Sequence, residues 1–69
     1  MSELSNSAVE RIIKKAGAER VSADATETLA VMMEEYGIFL SKEAKKMADH
    51  AGRKTLRGSD LRMAAEIFK

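Results

Sequence analysis

The sequence contains no cysteine and no proline, and His50 is its only histidine. Without cysteine no disulfide can support the fold, and one histidine with no neighbouring ligand argues against a metal site. We therefore expect neither a metal nor a cofactor. A chain of 69 residues buries a small share of its surface on folding, so association with another chain is the remaining means of support.

Long apolar runs are also missing. No stretch approaches the roughly 20 apolar residues that a membrane-spanning helix needs. The N-terminal segment MSELSNSAVE has neither a basic start nor an apolar core, unlike a secretory signal. We expect a protein of the cytoplasm with no membrane partner.

The residues of an enzyme site are not apparent either. The chain has no cysteine nucleophile and no glycine-rich phosphate loop, and the one histidine sits in a pattern typical of a helix end. Glu34 and Glu35 are adjacent in sequence, so they project to different parts of a helix and are interpreted as solvated. An enzyme is the weakest hypothesis.

The absence of proline and of strand-like alternation leaves helix favoured almost throughout, because Ala, Met, Leu, Glu and Lys dominate the composition. Two breaks interrupt the pattern, at Gly17 and Gly52, each just past an apolar run where a helix would end. The sequence predicts three helices in a single domain, residues 1–69.

The two outer helices are short. Ser7 and Glu10 form a candidate capping box that would start the first helix. Its inward face repeats at positions i, i+3, i+4 and i+7, namely Val9, Ile12, Ile13 and Ala16. The third helix is predicted to start around Gly58 or Ser59, with Asp60 near its positive end. Its inward face has the same spacing, namely Leu61, Ala64, Ala65 and Phe68.

The middle helix is the informative element. Ser22 can cap a helix that runs to about Ala51, close to 28 residues and roughly 42 Å. Its apolar positions are Leu29, Met32, Met33, Tyr36, Phe39, Leu40, Ala44, Met47 and Ala51. Two short helices cannot cover that stripe, so we expect a second copy to cover it. Gly37 either allows a close approach of two such helices or is a tolerated flaw, and the sequence does not decide.

Charge is unevenly distributed although the net charge is only +1. No basic residue occurs from Val21 through Ser41. Four basic residues cluster on each side of that stretch: Arg11, Lys14, Lys15 and Arg20 before it, and Arg53, Lys54, Arg57 and Arg62 after it. Two positive segments around a neutral-to-acidic centre are typical of an electrostatic footprint for a polyanion.

Two motifs resemble those of a known family. RIIKKAGAERVS, from Arg11 to Ser22, and HAGRKT, from His50 to Thr55, closely resemble the two loop segments of archaeal histones. The resemblance extends from about Val9 to Phe68. It implies an all-α histone fold that pairs as a handshake homodimer and bends or wraps duplex DNA with little sequence specificity, compacting the genome at the nucleoid.

The resemblance also implies roles for single residues. Arg20 would enter the minor groove, where a narrow width concentrates negative potential. The second loop and the first helix would contact phosphates through Lys54, Thr55, Arg57, Arg11 and Lys14. Arg53 and Asp60 would form a structural pair that clips the second loop to the third helix.

A further set would join dimers to one another, building a tetramer or a longer array on DNA. These residues are Met47, His50, Asp60 and Met63. The runner-up hypothesis is a histone-fold interaction module that heterodimerises with another protein, such as a histone-fold paralogue, in a transcription or chromatin complex. The near-neutral charge, Asp49, and the apolar Ile38 and Phe39 favour this alternative.

Overall fold

A computed structural model describes residues 3–69, most of which are helical. Helix α1 spans Asn6–Lys15, α2 spans Ala23–His50 and α3 spans Gly58–Ile67. α2 has 28 residues, whereas α1 and α3 have 10 each. Residues 3–69 contain no strand. The predicted order of a short, a long and a short helix is confirmed.

The start of α1 differs from the prediction. Its N-cap is Ser5, which has extended backbone (ψ 127°) and whose hydroxyl accepts a hydrogen bond from the backbone N–H of Ala8. Ser7 lies inside the helix, and Glu10 forms an ion pair with Lys14 instead of closing a capping box. The predicted cap was therefore wrong by two residues, because a second serine upstream offers the same hydroxyl with half a turn more helix.

Both ends of α2 have the local chemistry that the sequence predicts. The Ser22 hydroxyl accepts from the backbone N–H of Ala25 at 3.0 Å. At the other end Gly52 has φ +73°, its N–H donates to the Asp49 carbonyl, and the Arg53 N–H donates to the Ala48 carbonyl. This pair of bonds is a Schellman motif, which requires the left-handed conformation that glycine adopts without strain.

The described chain divides into two compact units, one ending at Glu35 and the other beginning at Tyr36. In the first unit, the buried residues are Val9 of α1 and Thr26 and Ala30 of α2. In the second, they are Ala44 and Ala48 of α2 with Asp60 and Ala64 of α3. Most of these side chains are small, so each core removes little apolar area from water.

Many large apolar side chains remain exposed. Ile12 and Phe68, which the sequence pattern turned inward, are 46% and 43% exposed, and Ala16 is exposed as well. The remaining exposed large apolar side chains are Leu4, Val31, Met32, Tyr36, Ile38, Phe39, Leu56, Met63 and Ile67. The prediction that Ile12, Ala16 and Phe68 face inward was therefore wrong for the single chain, because periodicity identifies an apolar face but not the surface that covers it. Large apolar side chains left exposed in this number favour an interaction surface.

Candidate nucleic-acid interface

The loop that joins α1 to α2 presents Arg20. Its guanidinium is exposed and makes no ion pair with any residue from 3 to 69. Gly17 (φ +107°) turns the chain at the end of α1, and the Ser22 cap anchors the loop to α2. Arg20 is therefore a free cation on a short segment that is held at both ends.

Helix α1 contributes two further cations to the first unit. Arg11 and Lys14 are both exposed. Lys14 Nζ lies 3.3 Å from Glu10 Oε2, a surface pair that is worth at most about 1 kcal/mol and that salt screens. Such a pair leaves Lys14 able to exchange its partner for a phosphate.

The loop between α2 and α3 is held by Asp60. The Arg53 guanidinium donates two hydrogen bonds to this carboxylate, from Nη1 to Oδ2 at 2.9 Å and from Nη2 to Oδ1 at 2.7 Å. Arg53 Nη1 also donates to the Thr55 carbonyl at 3.1 Å. The backbone N–H of Arg57 donates to Asp60 Oδ2 at 2.8 Å. One carboxylate on α3 thus ties down both the beginning and the end of the loop.

This arrangement presents three polar side chains to solvent. Lys54, Thr55 and Arg57 are all exposed, while Arg53 is half-buried. Because the backbone on both sides of Lys54 and Thr55 is fixed, the loop backbone needs little further ordering to meet a ligand. Lysine, arginine and threonine side chains are donors of the kind that phosphate oxygens accept.

The electrostatics of the pair keep both groups charged. The hydrogen bonds from Arg53, and then the one from the Arg57 backbone, lower the pKa of Asp60 from 3.8 to about 2. The hydrogen bond to Asp60 raises the pKa of Arg53 above its ordinary value. At neutral pH the loop is therefore clamped by a complete ion pair.

A separate apolar groove lies in the second unit, with a volume of about 500 Å³. Its lining is Glu43, Lys46, Met47, His50, Met63, Ile67 and Phe68. The structure thus brings together Met47, His50 and Met63. Asp60 does not line the groove, since it is buried and both of its oxygens accept from the loop.

Comparison with known proteins matches residues 2–65 to the family of histone-like transcription factors (CBF/NF-Y) and archaeal histones. The chain is 50% identical over 66 residues to one of the subunits of archaeal histone HAN1 of Thermococcus zilligii, covering 96% of this chain and 98% of the relative. It is 39% identical over 64 residues to probable archaeal histone 3 of Methanocaldococcus jannaschii, covering 93% and 96%.

The chain belongs to this family. Its three helices are those of the all-α histone fold, so the predicted fold class is confirmed. As a member of the archaeal histone family it is a DNA-binding chromatin protein and not an enzyme. No helix among the described residues is long and apolar enough to cross a membrane, and residues 3–69 contain no cluster of potential metal ligands.

Among the cations of this histone fold, sequence reasoning missed those on the second half of α2. Lys42, Lys45 and Lys46 are all exposed. Lys45 pairs with Asp49 at 2.7 Å and Lys46 with Glu43 at 3.2 Å, whereas Lys42 has no ion pair within residues 3–69. The sequence could have indicated these three lysines, because basic residues resume directly after Ser41.

Glu34 also differs from its interpretation as a merely solvated carboxylate. Its Oε1 accepts a hydrogen bond from the backbone N–H of Glu3 at 2.7 Å, which ties the segment before α1 to α2 within the first unit. Nothing in the local sequence indicates this contact, because the two residues are 31 positions apart.

Proposed function

We propose that two copies of this chain form a histone-fold dimer that bends or wraps duplex DNA and compacts the chromosome. Its contacts are to phosphates and the minor groove, with little dependence on base sequence. The second-loop clamp carries the proposal, since one buried carboxylate holds a loop whose outward side chains are Lys54, Thr55 and Arg57. Arg20 on the first loop and Arg11 and Lys14 on α1 supply the other contacts.

The mechanism is electrostatic and geometric. Cations replace the counterions condensed on DNA, and their release drives binding. Cations that are held at fixed positions favour a curved path, for which the duplex must be deformed elastically. The eukaryotic histone octamer wraps DNA without base-specific contacts, and we extend this behaviour to the present chain by family membership.

Dimerisation is supported by the exposed apolar residues of the single chain. Met32, Tyr36 and Phe39 of α2 are between 43% and 58% exposed, although they belong to the predicted apolar stripe. A second copy would cover them. Dimers would then join into tetramers or arrays through the groove that contains Met47, His50 and Met63.

Salt dependence tests the DNA-binding mechanism. If one dimer neutralises about six phosphates, affinity for random-sequence duplex should fall roughly a thousandfold between 50 and 200 mM salt. A flat response would contradict the proposal. Gel filtration of the DNA-free chain tests the dimer, and protection of DNA from micrococcal nuclease in steps of one dimer footprint tests the array.

A heterodimer with another histone-fold chain is the second candidate. The exposed apolar Ile38 favours it, and so does the name of the Thermococcus relative, which describes a subunit. Phe39 favours it less, because its ring meets Phe68 edge to face at 5.2 Å between centroids. A purified chain that neither dimerises nor retards random DNA would support this candidate.

A further inference from the structure

Two of the eight clustered basic residues, Lys15 and Arg62, have no role in the proposed function. Both are exposed, and neither makes an ion pair with another residue from 3 to 69. The Arg62 side chain folds back along α3, so that its Nη1 lies 3.4 Å from the position that a Cβ on Gly58 would occupy. The guanidinium therefore lies beside the first residue of α3, which directly follows Arg57.

The positive charge at the start of α3 is not balanced within the described chain. Asp60 is the one acidic residue in the first turn of this helix, and its two oxygens already accept from Arg53 and from the Arg57 backbone N–H. The guanidinium groups of Arg57 and Arg62 are left without an ion pair, at the helix end whose own dipole is positive. Cations at this end of a helix are unfavourable unless an anion binds beside them.

A partner for Arg62 exists on the same helix, but the two do not pair. Glu66 lies one helical turn further along α3, and its exposed carboxylate pairs with Lys69 at 3.6 Å. Long side chains on a helix lean towards its N-terminus, and a pair four residues apart is more favourable when the acid precedes the base. Both effects turn Arg62 away from Glu66. The guanidinium is therefore available to an anion from outside the chain.

We propose that Arg62 is a further phosphate-binding residue of the DNA interface, beside Arg57 at the start of α3. The inference rests on the proposed DNA binding and adds a contact that lies outside both loops. Arg57 is the last exposed cation of the second loop, and Arg62 continues that positive surface onto the helix. A guanidinium can donate two parallel hydrogen bonds to the oxygens of one phosphate. Arg62 is the binding group, and the helix end only adds to the positive potential around it.

The salt dependence of DNA binding tests this contact. A dimer contains Arg62 twice, so Arg62→Gln should lose about two phosphate contacts, and the fall in affinity between 50 and 200 mM salt should become roughly tenfold smaller. Arg62→Lys keeps the charge and should keep most of the salt dependence. Lys69→Gln is the matched control, because it also removes one charge from each chain, just beyond the opposite end of α3, and should change the salt dependence little.

Thermal unfolding of the DNA-free protein separates a ligand contact from a structural one. Removing a cation from the positive end of a helix should leave the melting temperature of Arg62→Gln unchanged or raise it. DNA affinity should fall in the same variant. The loss of a structural contact would instead lower both quantities. Gel filtration of Arg62→Gln should show the same oligomeric state as that of the unmodified chain.

Three other results would overturn the role of Arg62 and leave the proposed function intact. The first is an unchanged affinity and salt dependence in Arg62→Gln, alongside a loss in Lys54→Ala. The second is an equal loss in Lys69→Gln, which would indicate an effect of net charge. The third is a lower melting temperature or weaker association of Arg62→Gln, which would assign Arg62 to a protein contact. A flat salt response of the unmodified chain would overturn the proposed function itself.

Discussion

Arg53 and Asp60 form a bidentate ion pair in which Nη1 donates to Oδ2 at 2.9 Å and Nη2 donates to Oδ1 at 2.7 Å. The carboxylate is buried in the first turn of α3, while Arg53 directly follows the glycine that ends α2. The ion pair therefore joins the beginning of the loop between α2 and α3 to the first turn of α3. The exposed side chains of the loop remain available for a ligand.

Replacing the carboxylate should release that loop. Asp60→Ala leaves Arg53 half-buried without its partner and removes the acceptor of the Arg57 N–H, so we expect a lower melting temperature and weaker DNA binding. The matched control is Asp49→Ala, which breaks an exposed pair with Lys45 and should change melting little. Unchanged melting and unchanged affinity in Asp60→Ala would refute the clamp.

The Arg53–Asp60 pair also predicts how the free energy of unfolding depends on acid pH. Because the folded-state pKa of Asp60 lies below the ordinary 3.8, at about 2, its contribution to stability is complete above 3.8 and is lost as the pH falls towards 2. The difference in unfolding free energy between the unmodified chain and Asp60→Asn should therefore be constant above about pH 5 and shrink below pH 4. Denaturant titrations across this range measure it. A difference that grows on acidification would contradict the assignment.

The cap of α1 can be assigned by two serine variants. Ser5→Ala removes the hydroxyl that accepts from the Ala8 N–H and should destabilise the fold by about 0.5 to 1 kcal/mol. Ser7→Ala, inside the helix, should be neutral or slightly stabilising because alanine is the better helix former. Denaturant midpoints of the two variants compare them directly, and a reversed order would restore Ser7 as the cap.

Gly37 lies within α2, and a Cβ added there meets no described atom within 4 Å. Gly37→Ala should therefore stabilise the chain by about 1 kcal/mol, the usual helix-propensity difference. Gly52→Ala is the opposite control, because the left-handed backbone at this position should make alanine cost about 1 kcal/mol. If Gly37→Ala instead weakens dimerisation in gel filtration, a second helix approaches the backbone at this glycine.

Single cations should have separable effects on DNA binding. Lys54→Ala removes two lysines from each dimer, so it should reduce the salt slope of binding by about two phosphate contacts and weaken binding equally on all sequences. Arg20→Ala should also reduce the preference for duplexes with a narrow minor groove. Lys69→Ala is the control, since it removes one charge from the C-terminal residue, outside the loops. Equal losses in Lys69→Ala would indicate a nonspecific effect of net charge.

Local chemistry accounts for the elements that sequence reasoning predicted well. A hydroxyl at Ser22 and a glycine at Gly52 decide the ends of α2 through bonds that span a few residues. The start of α1 was predicted at the wrong serine because Ser5 and Ser7 both offer a hydroxyl that can cap the helix. Only the backbone conformation before the helix distinguishes the two. Glu34 was missed because its partner, the Glu3 N–H, is remote in sequence.

The three helices, the two breaks and the clusters of positive charge could be read from the residues alone, because they depend on residue type and on neighbours within about one helical turn. Helix packing, in contrast, leaves Ile12 and Phe68 exposed and turns Asp60 towards the loop and not into the apolar groove. Those outcomes depend on which surfaces meet in three dimensions, and that depends on contacts between residues far apart along the chain.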